Sequence, residues 1–571
     1  MALNKCCIIS VDKESENTFE YLSRRLVNTA TTQFLGKKVA MPSPIVRGPP
    51  RLAVQDTSLG EKLYRNLLEQ GDKTVMVDGL TRREMTARRL LELSSRLAEG
   101  LRARGVLPGD TVAVCSENSL EYCLPVLAAL YLGAVCAPLN ATYTPRELQH
   151  ALGLSRPKAV FCSRLTEDAV REAVEAVKAA GAEPLVAVLD GDPGLLPLAA
   201  AVGVSPGFAP RPVPRPEDQV AFVMCSSGTT GLPKGVLITH ANMLYCNALR
   251  RYDKIRGPSD VDKVLAYLPM SHALGITMLT ACLEEGVLLI VMPSFQPDLF
   301  LQLIQDYKVE YVPLVPPLVA FLAKHPMVAD YDLSSLRRVS CGAAPLSADL
   351  LRQFLARFPH VQHVTQGYGL TECTLGAVFT PFGSDNHASV GTVVPGMELK
   401  IADPETGAAL EAGRRGEICF RGPLVMKGYA GDPRATAQAV DGDGWLRTGD
   451  VGFLDQQGFL YVVDRIKELI KYQGFQVPPA ELEAILMSHP AVMDAAVVGV
   501  PDARAGELPR AFVVKKKDVS ERELVDFVAK QVSPPKRLRG GVQFVDSIPK
   551  NPSGKILRRE VKELYLPNSK L

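Results

Sequence analysis

Residues Ser226 to Gly235 read Ser-Ser-Gly-Thr-Thr-Gly-Leu-Pro-Lys-Gly and lie between two apolar runs, Val220–Met224 and Val236–Ile238, that predict strands. Gly228, Gly231 and Gly235 have no Cβ, so backbone N–H groups there are free to turn inward on an anion. Ser226, Ser227, Thr229, Thr230 and Lys234 add hydroxyl and ammonium donors. Such a loop grips a polyphosphate, most simply ATP. Pro233 before Lys234 and Gly235 after it leave no Ser or Thr for Mg²⁺, so the G-x-x-x-x-G-K-[ST] grammar of a Walker-type ATPase is absent. A strand on each side also removes the helix N-terminus on which a dinucleotide fold holds phosphate. Taken alone, the loop also fits a flexible surface turn.

Outward from the loop, helical and strand patterns alternate. A helical pattern within Thr81–Gly109 is followed by a strand at Thr111–Cys115, and helices are expected at Ser119–Tyr131, Pro145–Leu154, Asp168–Gly181, Pro297–Tyr307 and Ser347–Phe358. This alternation predicts an α/β fold in which two blocks, about residues 75–235 and 240–380, form stacked, mostly parallel sheets covered by helices. Short strands between Gly and Pro turns from about 391 to 463 predict a small β-rich subdomain. From 464 to 571 the pattern is that of a separate, small α+β domain. Residues 1–50 read as an N-terminal extension and 51–463 as the large domain.

At 571 residues the chain exceeds the roughly 250–300 residues one core supports, so at least two domains are required. With 64 basic and 62 acidic residues the net charge is +2, which gives no field to gather nucleic acid or a membrane surface. The twelve cysteines lack C-x-x-C spacing and mostly sit in apolar runs, as reduced, buried thiols do. The uncharged stretch Leu124–Pro145 is broken by Pro125, Gly133 and Pro138, which predicts a buried helix running into a strand rather than a transmembrane segment. Early acidic residues, Asp12, Glu14, Glu16 and Glu20, argue against a secretory signal. The sequence closes on Ser569-Lys570-Leu571, a tripeptide read by the peroxisomal import receptor, and a peroxisomal location is therefore expected.

Further segments fall in order behind the loop: Leu268-Pro-Met-Ser-His272, Gly342-Ala-Ala-Pro345, Gln366-Gly-Tyr-Gly-Leu-Thr-Glu372, Trp445-Leu-Arg-Thr-Gly-Asp450, the run Asp464 to Gln476, and Pro552-Ser-Gly-Lys555. The ordered set, over about residues 60–571, resembles the adenylate-forming superfamily, and within it the branch of 4-coumarate–CoA ligases, medium-chain acyl-CoA synthetases and beetle luciferases. The resemblance implies that a carboxylate attacks the α-phosphorus of ATP to give acyl-AMP and pyrophosphate, after which CoA thiol displaces AMP. Such chemistry depends on placed cations and N–H donors that neutralise growing negative charge.

By that resemblance Ser226, Ser227, Gly228, Thr229, Thr230 and Lys234 hold the β- and γ-phosphates, Thr371 the α-phosphate, and Glu372 the Mg²⁺. Gly342, Ala343, Gln366, Gly367 and Tyr368 wall the adenine and acyl-adenylate site, Asp450 meets the ribose hydroxyls, and Arg465 supports ribose or phosphate. His272 lines the carboxylate pocket. Lys555 bridges carboxylate and α-phosphate in the first step, whereas Lys471, Gln473 and Gly474 belong to the CoA step. One small domain cannot present both lysines at once, so rotation about a hinge at 464–467, which includes Lys467, is implied.

Two basic positions common in relatives are replaced here, by Ser294 and Gln473, which bears on CoA affinity. The acyl pocket is expected to be built by Leu274, Gly275, Met278, Ala343, Ala344 and Thr374–Val378, an apolar and mostly small lining that suits a medium-chain fatty acid or an aryl-propenoic acid. Two other functions compete with the ligase. A luciferase-like oxygenase would pass the same adenylate to O₂, but Tyr245, Cys246 and Asn247 are uncharged where those enzymes place a basic contact to luciferin. A non-catalytic paralogue would be expected to lose Lys555, Glu372 or Asp450, and all are present.

Overall fold

In the computed structural model the two strands that flank the phosphate loop pair with each other. Strand Val220–Ser226 runs antiparallel to Lys234–Thr239, with Ser226 opposite Lys234. The structure describes residues 44–54, 57–178, 183–189, 208–226, 233–252, 255, 261–342, 346–473, 475–502, 504–551 and 554–566. Residues 1–43, Ser227, Gly228, Thr229, Thr230, Ala343, Ala344, Gly474 and Ser569, Lys570 and Leu571 lie outside them.

The hairpin joins a seven-stranded sheet in which Val220–Ser226, Val135–Leu139, Thr111–Cys115, Pro157–Cys162 and Leu185–Val188 run parallel. Thr111–Cys115 and Val135–Leu139 are buried at every position, the burial a parallel strand covered on both faces requires. A nine-stranded sheet holds Lys263–Ala266, Leu288–Val291, Tyr311–Leu314, Arg338–Cys341 and His363–Tyr368 as its parallel centre. The stacked α/β layers read from sequence are thus present. Their membership differs from the two sequence blocks, because Thr74–Asp78 pairs with Leu288–Val291, Leu289 standing opposite Met76. Apolar parallel strands carry no local mark of which neighbour they take.

The tempting apolar stretch is a fully buried helix, Cys123–Tyr131, followed by Val135–Leu139. Among the described residues no helix is long and apolar enough to cross a membrane. A five-stranded antiparallel sheet contains Glu398–Ala402, Gly416–Arg421, Leu446–Leu454 and Leu460–Arg465. Its edge is Ile45–Arg47, which the sequence reading assigned to the N-terminal extension.

The last module has its own sheet, in which Val492–Asp502 and Gly506–Lys515 form a long antiparallel pair and Val542–Phe544 adds in parallel. Helices Pro479–Ser488 and Glu521–Ala529 cover a core that includes Ile470, Val497, Val513 and Leu524. The closing helix, Arg558–Tyr565, is joined to it by Arg558, which bonds both Glu483 oxygens at 2.8 and 2.9 Å and Glu468 at 2.7 Å. Burial lifts the Glu483 carboxyl to about 7 despite that guanidinium.

Candidate active site

Lys555 is delivered by a tight turn of the last module. Its N–H donates to Asn551 Oδ1 at 2.9 Å, its carbonyl accepts from Asn551 N–H at 2.9 Å, and Gly554 N–H closes on the Asn551 carbonyl at 2.8 Å. Gly554 has φ +79°, a conformation that favours glycine, and it packs against Val315, where a Cβ would stand a tight 3.2 Å from Val315 Cγ2. The turn places Lys555 on a cavity of about 290 Å³ shared with Gln366, Gly367, Tyr368, Asp450 and Arg465. Burial first, then the charge of Arg465 and, less, that of Arg558, hold the Lys555 ammonium down to about 8 against the opposing carboxylates of Glu468 and Asp450.

Asp450 and Arg465 are cross-strand partners, and their side chains approach to 3.3 Å. Tyr368 Oη donates to Asp450 Oδ2 at 2.6 Å. Burial raises the Asp450 carboxyl, opposed by Arg465, Tyr368 and Lys555. The carboxylate is therefore desolvated and fixed, with its geometry set before any diol arrives.

The Thr371–Cys373 turn, which holds Thr371 and Glu372, follows Gly367, Tyr368 and Gly369 of the cavity wall, but neither Thr371 nor Glu372 lines that cavity. Thr374 and Leu375 follow with φ of +54° and +109°, a conformation that non-glycine residues enter only when surroundings compel it. Here Thr374 Oγ1 donates to the Leu424 carbonyl at 2.7 Å and Met426 N–H to the Glu372 carbonyl at 2.9 Å. Tyr429 Oη donates to Glu372 Oε1 at 3.0 Å, and Lys234 Nζ lies 4.6 Å from the centre of the Tyr429 ring. Burial and the Glu372 charge push the Tyr429 phenol up, so it stays a donor. Tyr429 thereby ties the phosphate lysine to the expected metal carboxylate. Strand pairing of Tyr429 with Val236, far apart in sequence, puts it there, and no local signal foretold it.

His272 caps helix Ala273–Glu285, its Nδ1 accepting the Leu274 N–H at 3.3 Å, which assigns the ring proton to Nε2. His272 is exposed and lines neither cavity, although protein crowds it at longer range. Burial and then the Lys555 charge depress its pKa, so it is neutral near pH 7 and shares the electrostatic field of Lys555. Gln366 is a wall with its amide already engaged, Nε2 donating to the His387 carbonyl at 2.8 Å. Gly342 and Gly367 face each other, a Cβ on Gly342 falling 3.5 Å from the Gly367 carbonyl.

Lys467, Lys471 and Gln473 are exposed and do not line that cavity. Lys471 sits on the hairpin Ile470–Tyr472/Phe475–Val477, its N–H bonded to Glu507 Oε2 at 2.8 Å. The observed orientation thus presents one lysine of the pair and leaves the other in solvent. Among the described residues no group of three or more His, Cys, Asp or Glu side chains is arranged to hold a metal ion. Among the described residues Glu372 accepts a side-chain bond on one oxygen only, from Tyr429, and it suits a hard cation that takes most ligands from phosphate and water, as Mg²⁺ does. Every described cysteine is free, and burial pushes Cys246, Cys341 and Cys373 to about 12, too high for a nucleophile.

A second cavity has a volume of about 150 Å³. Leu274, Leu375 and Gly376 line it as the sequence reading expected, but Gly275, Met278, Thr374, Ala377 and Val378 are absent from its wall. Its polar groups are Arg250, Thr277, Glu285, Tyr311, Arg338, Ser340 and Thr365. The expected all-apolar lining is corrected accordingly: strand register and one further helical turn bring polar groups that motif position does not reveal.

A lysine carried by the small module onto a cavity with a fixed carboxylate, in a chain that also carries a phosphate-gripping sequence, points to an enzyme class that activates substrates with ATP. The AMP-binding enzyme profile matches residues 63–430, and that of the AMP-binding enzyme C-terminal domain residues 481–555. Luciferin 4-monooxygenase of Luciola mingrelica is 38% identical over 549 residues, 92% of this chain and 98% of that protein. 4-Coumarate–CoA ligase 1 of Petroselinum crispum is 40% identical, covering 87% and 92%. ATP-bound MatB from Rhodopseudomonas palustris has a similar structure, with a TM-score of 0.78 at 30% identity over 88% of this chain and 99% of that one. The anthranilate CoA ligase AuaEII with anthranoyl-AMP gives 0.81 at 25% identity, covering 90% and 98%. The chain belongs to the AMP-binding enzymes of the adenylate-forming superfamily.

Proposed function

We propose that the protein is an AMP-forming carboxylate–CoA ligase. The observation that carries the reading is the placement of Lys555 on the cavity of Asp450 and Tyr368 while Lys471 stands exposed on a separate hairpin. In this orientation Lys555 neutralises charge that grows between the carboxylate and the α-phosphate, and neutral His272 offers Nε2–H to the acid. Lys234 and Thr371 meet the phosphates, and Asp450 accepts from the ribose. Glu372 would hold Mg²⁺, which neutralises phosphate charge when bound. Rotation at 464–467 would then exchange Lys555 for the Lys471 hairpin and admit CoA.

The similarity to 4-coumarate–CoA ligases supports the thioester product, and the matching similarity to luciferin 4-monooxygenases supports a second reading, oxidation of the adenylate by O₂. Mixing protein, MgATP, CoA and a panel of carboxylic acids separates them. Acid-dependent pyrophosphate release with stoichiometric acyl-CoA supports the ligase. Pyrophosphate with O₂ uptake and no thioester favours the oxygenase, and no pyrophosphate with any acid overturns both.

A further inference from the structure

Lys234 opens strand Lys234–Thr239, and the backbone is held on both sides of it. After it, the Gly235 carbonyl accepts the Ala430 N–H at 2.7 Å, one residue on from Tyr429, whose ring meets the Lys234 ammonium. Before it, the Pro233 carbonyl lies 2.8 Å from His150 Nε2. A carbonyl oxygen only accepts, so Nε2 carries the ring proton and donates it. Proline has no N–H, and its carbonyl is therefore the one backbone polar group by which the residue before Lys234 can be anchored.

His150 stands on helix Pro145–Ser155, which starts on a reciprocal Thr144–Glu147 cap. The buried face of that helix is Leu148, Ala151, Leu152 and Ser155. His150 is outside it: half-buried, it shares another face with half-buried Leu154, one turn on. A Cβ on Gly235 would stand 3.7 Å from Leu154 Cβ. The two periods match, because residues four apart on the helix meet residues two apart on the extended chain, Pro233 and Gly235. The helix thus touches the chain on either side of Lys234. Among the described residues the hydrogen bond of His150 is the one to Pro233, so packing of the helix core gives this side chain no other task.

We propose that His150 is a positioning residue for polyphosphate binding: by holding the Pro233 carbonyl it sets where Lys234 stands, and with it the grip on the β- and γ-phosphates of ATP. The assignment rests on the phosphate-binding role proposed for Lys234, whatever the acid and whatever the fate of its adenylate. Without the imidazole the Pro233 peptide can turn about ψ, the one soft backbone angle that a proline keeps, and Lys234 is carried with it. The ammonium is then spread over several positions, which weakens its contact with an anion. AMP has no β- or γ-phosphate and does not feel the change.

Calorimetry on the full-length protein compares MgATP with AMP for the wild type, His150→Ala, His150→Gln, Lys234→Ala and the double variant His150→Ala/Lys234→Ala. Removing one neutral hydrogen bond is expected to weaken MgATP binding about five- to ten-fold in His150→Ala and to leave AMP within about two-fold. His150→Gln offers an amide N–H near the place of Nε2 and should recover most of the loss. On the Lys234→Ala background His150→Ala should cost less than about two-fold, since both act through one contact. Equal weakening of MgATP and AMP, additive losses in the double variant, or undiminished MgATP binding in His150→Ala or Lys234→Ala overturns the proposal, as does wild-type protein that binds no MgATP. Calorimetry needs no turnover, so a failure to release pyrophosphate with any acid would refute the ligase reading and still leave the role of His150 decided.

Discussion

Raising the pH through the range in which Lys555 loses its proton is expected to slow acyl-adenylate formation. Desolvation, with Arg465 and Arg558 nearby, holds that ammonium down to about 8, so nine-tenths of it is charged at pH 7 and about one-tenth at pH 9. Because kcat/KM reports the free enzyme, its basic limb should have a midpoint near pH 8 and fall about ten-fold between pH 7 and 9. In kcat the limb moves to higher pH, since bound triphosphate favours the charged lysine. Glu468→Gln removes a carboxylate that raises the Lys555 pKa and frees the Arg558 charge, so the limb shifts below 8. The assay is single-turnover pyrophosphate release from pH 6.5 to 9.5, beside thioester formation from preformed acyl-AMP. The thioester step should instead rise with pH as the CoA thiol ionises. A flat adenylation profile to pH 9.5, or a limb that stays in place in Glu468→Gln and Lys555→Arg alike, refutes the reasoning.

Tyr429→Phe keeps the ring over Lys234 but removes the 3.0 Å bond to Glu372, and the KM for MgATP should rise about ten-fold, read from initial rates at varied MgATP. Arg558→Met leaves Glu483 and Glu468 without their shared cation, and urea unfolding should show a loss of about 3–5 kcal/mol. Gly369→Ala puts a Cβ 2.1 Å from the Leu375 carbonyl oxygen, so the strained Thr374–Leu375 segment must move, lowering the urea midpoint by the equivalent of about 3 kcal/mol and abolishing pyrophosphate release.

Elements with strong local signals were legible. Pro297–Tyr307 begins on its proline and matches its expected bounds, and the broken apolar stretch became a buried helix and strand. The motif residues Tyr368, Asp450, Arg465 and Lys555 do meet on one cavity. What stayed hidden depends on pairing between distant segments. Thr74–Asp78 gives no sign that it joins Leu288–Val291, and Tyr429 reaches Glu372 only because its strand docks beside Val236.

The central claim is that the small module delivers Lys555 to an ATP-bound carboxylate. Acid-dependent exchange of labelled pyrophosphate into ATP, compared with thioester formation from added acyl-AMP and CoA, tests it in Lys555→Ala and Lys471→Ala. The account predicts that Lys555→Ala loses about 10²–10³-fold of exchange and keeps the thioester step, with Lys471→Ala showing the reverse. Equal loss of both steps in Lys555→Ala, or undiminished exchange, contradicts it.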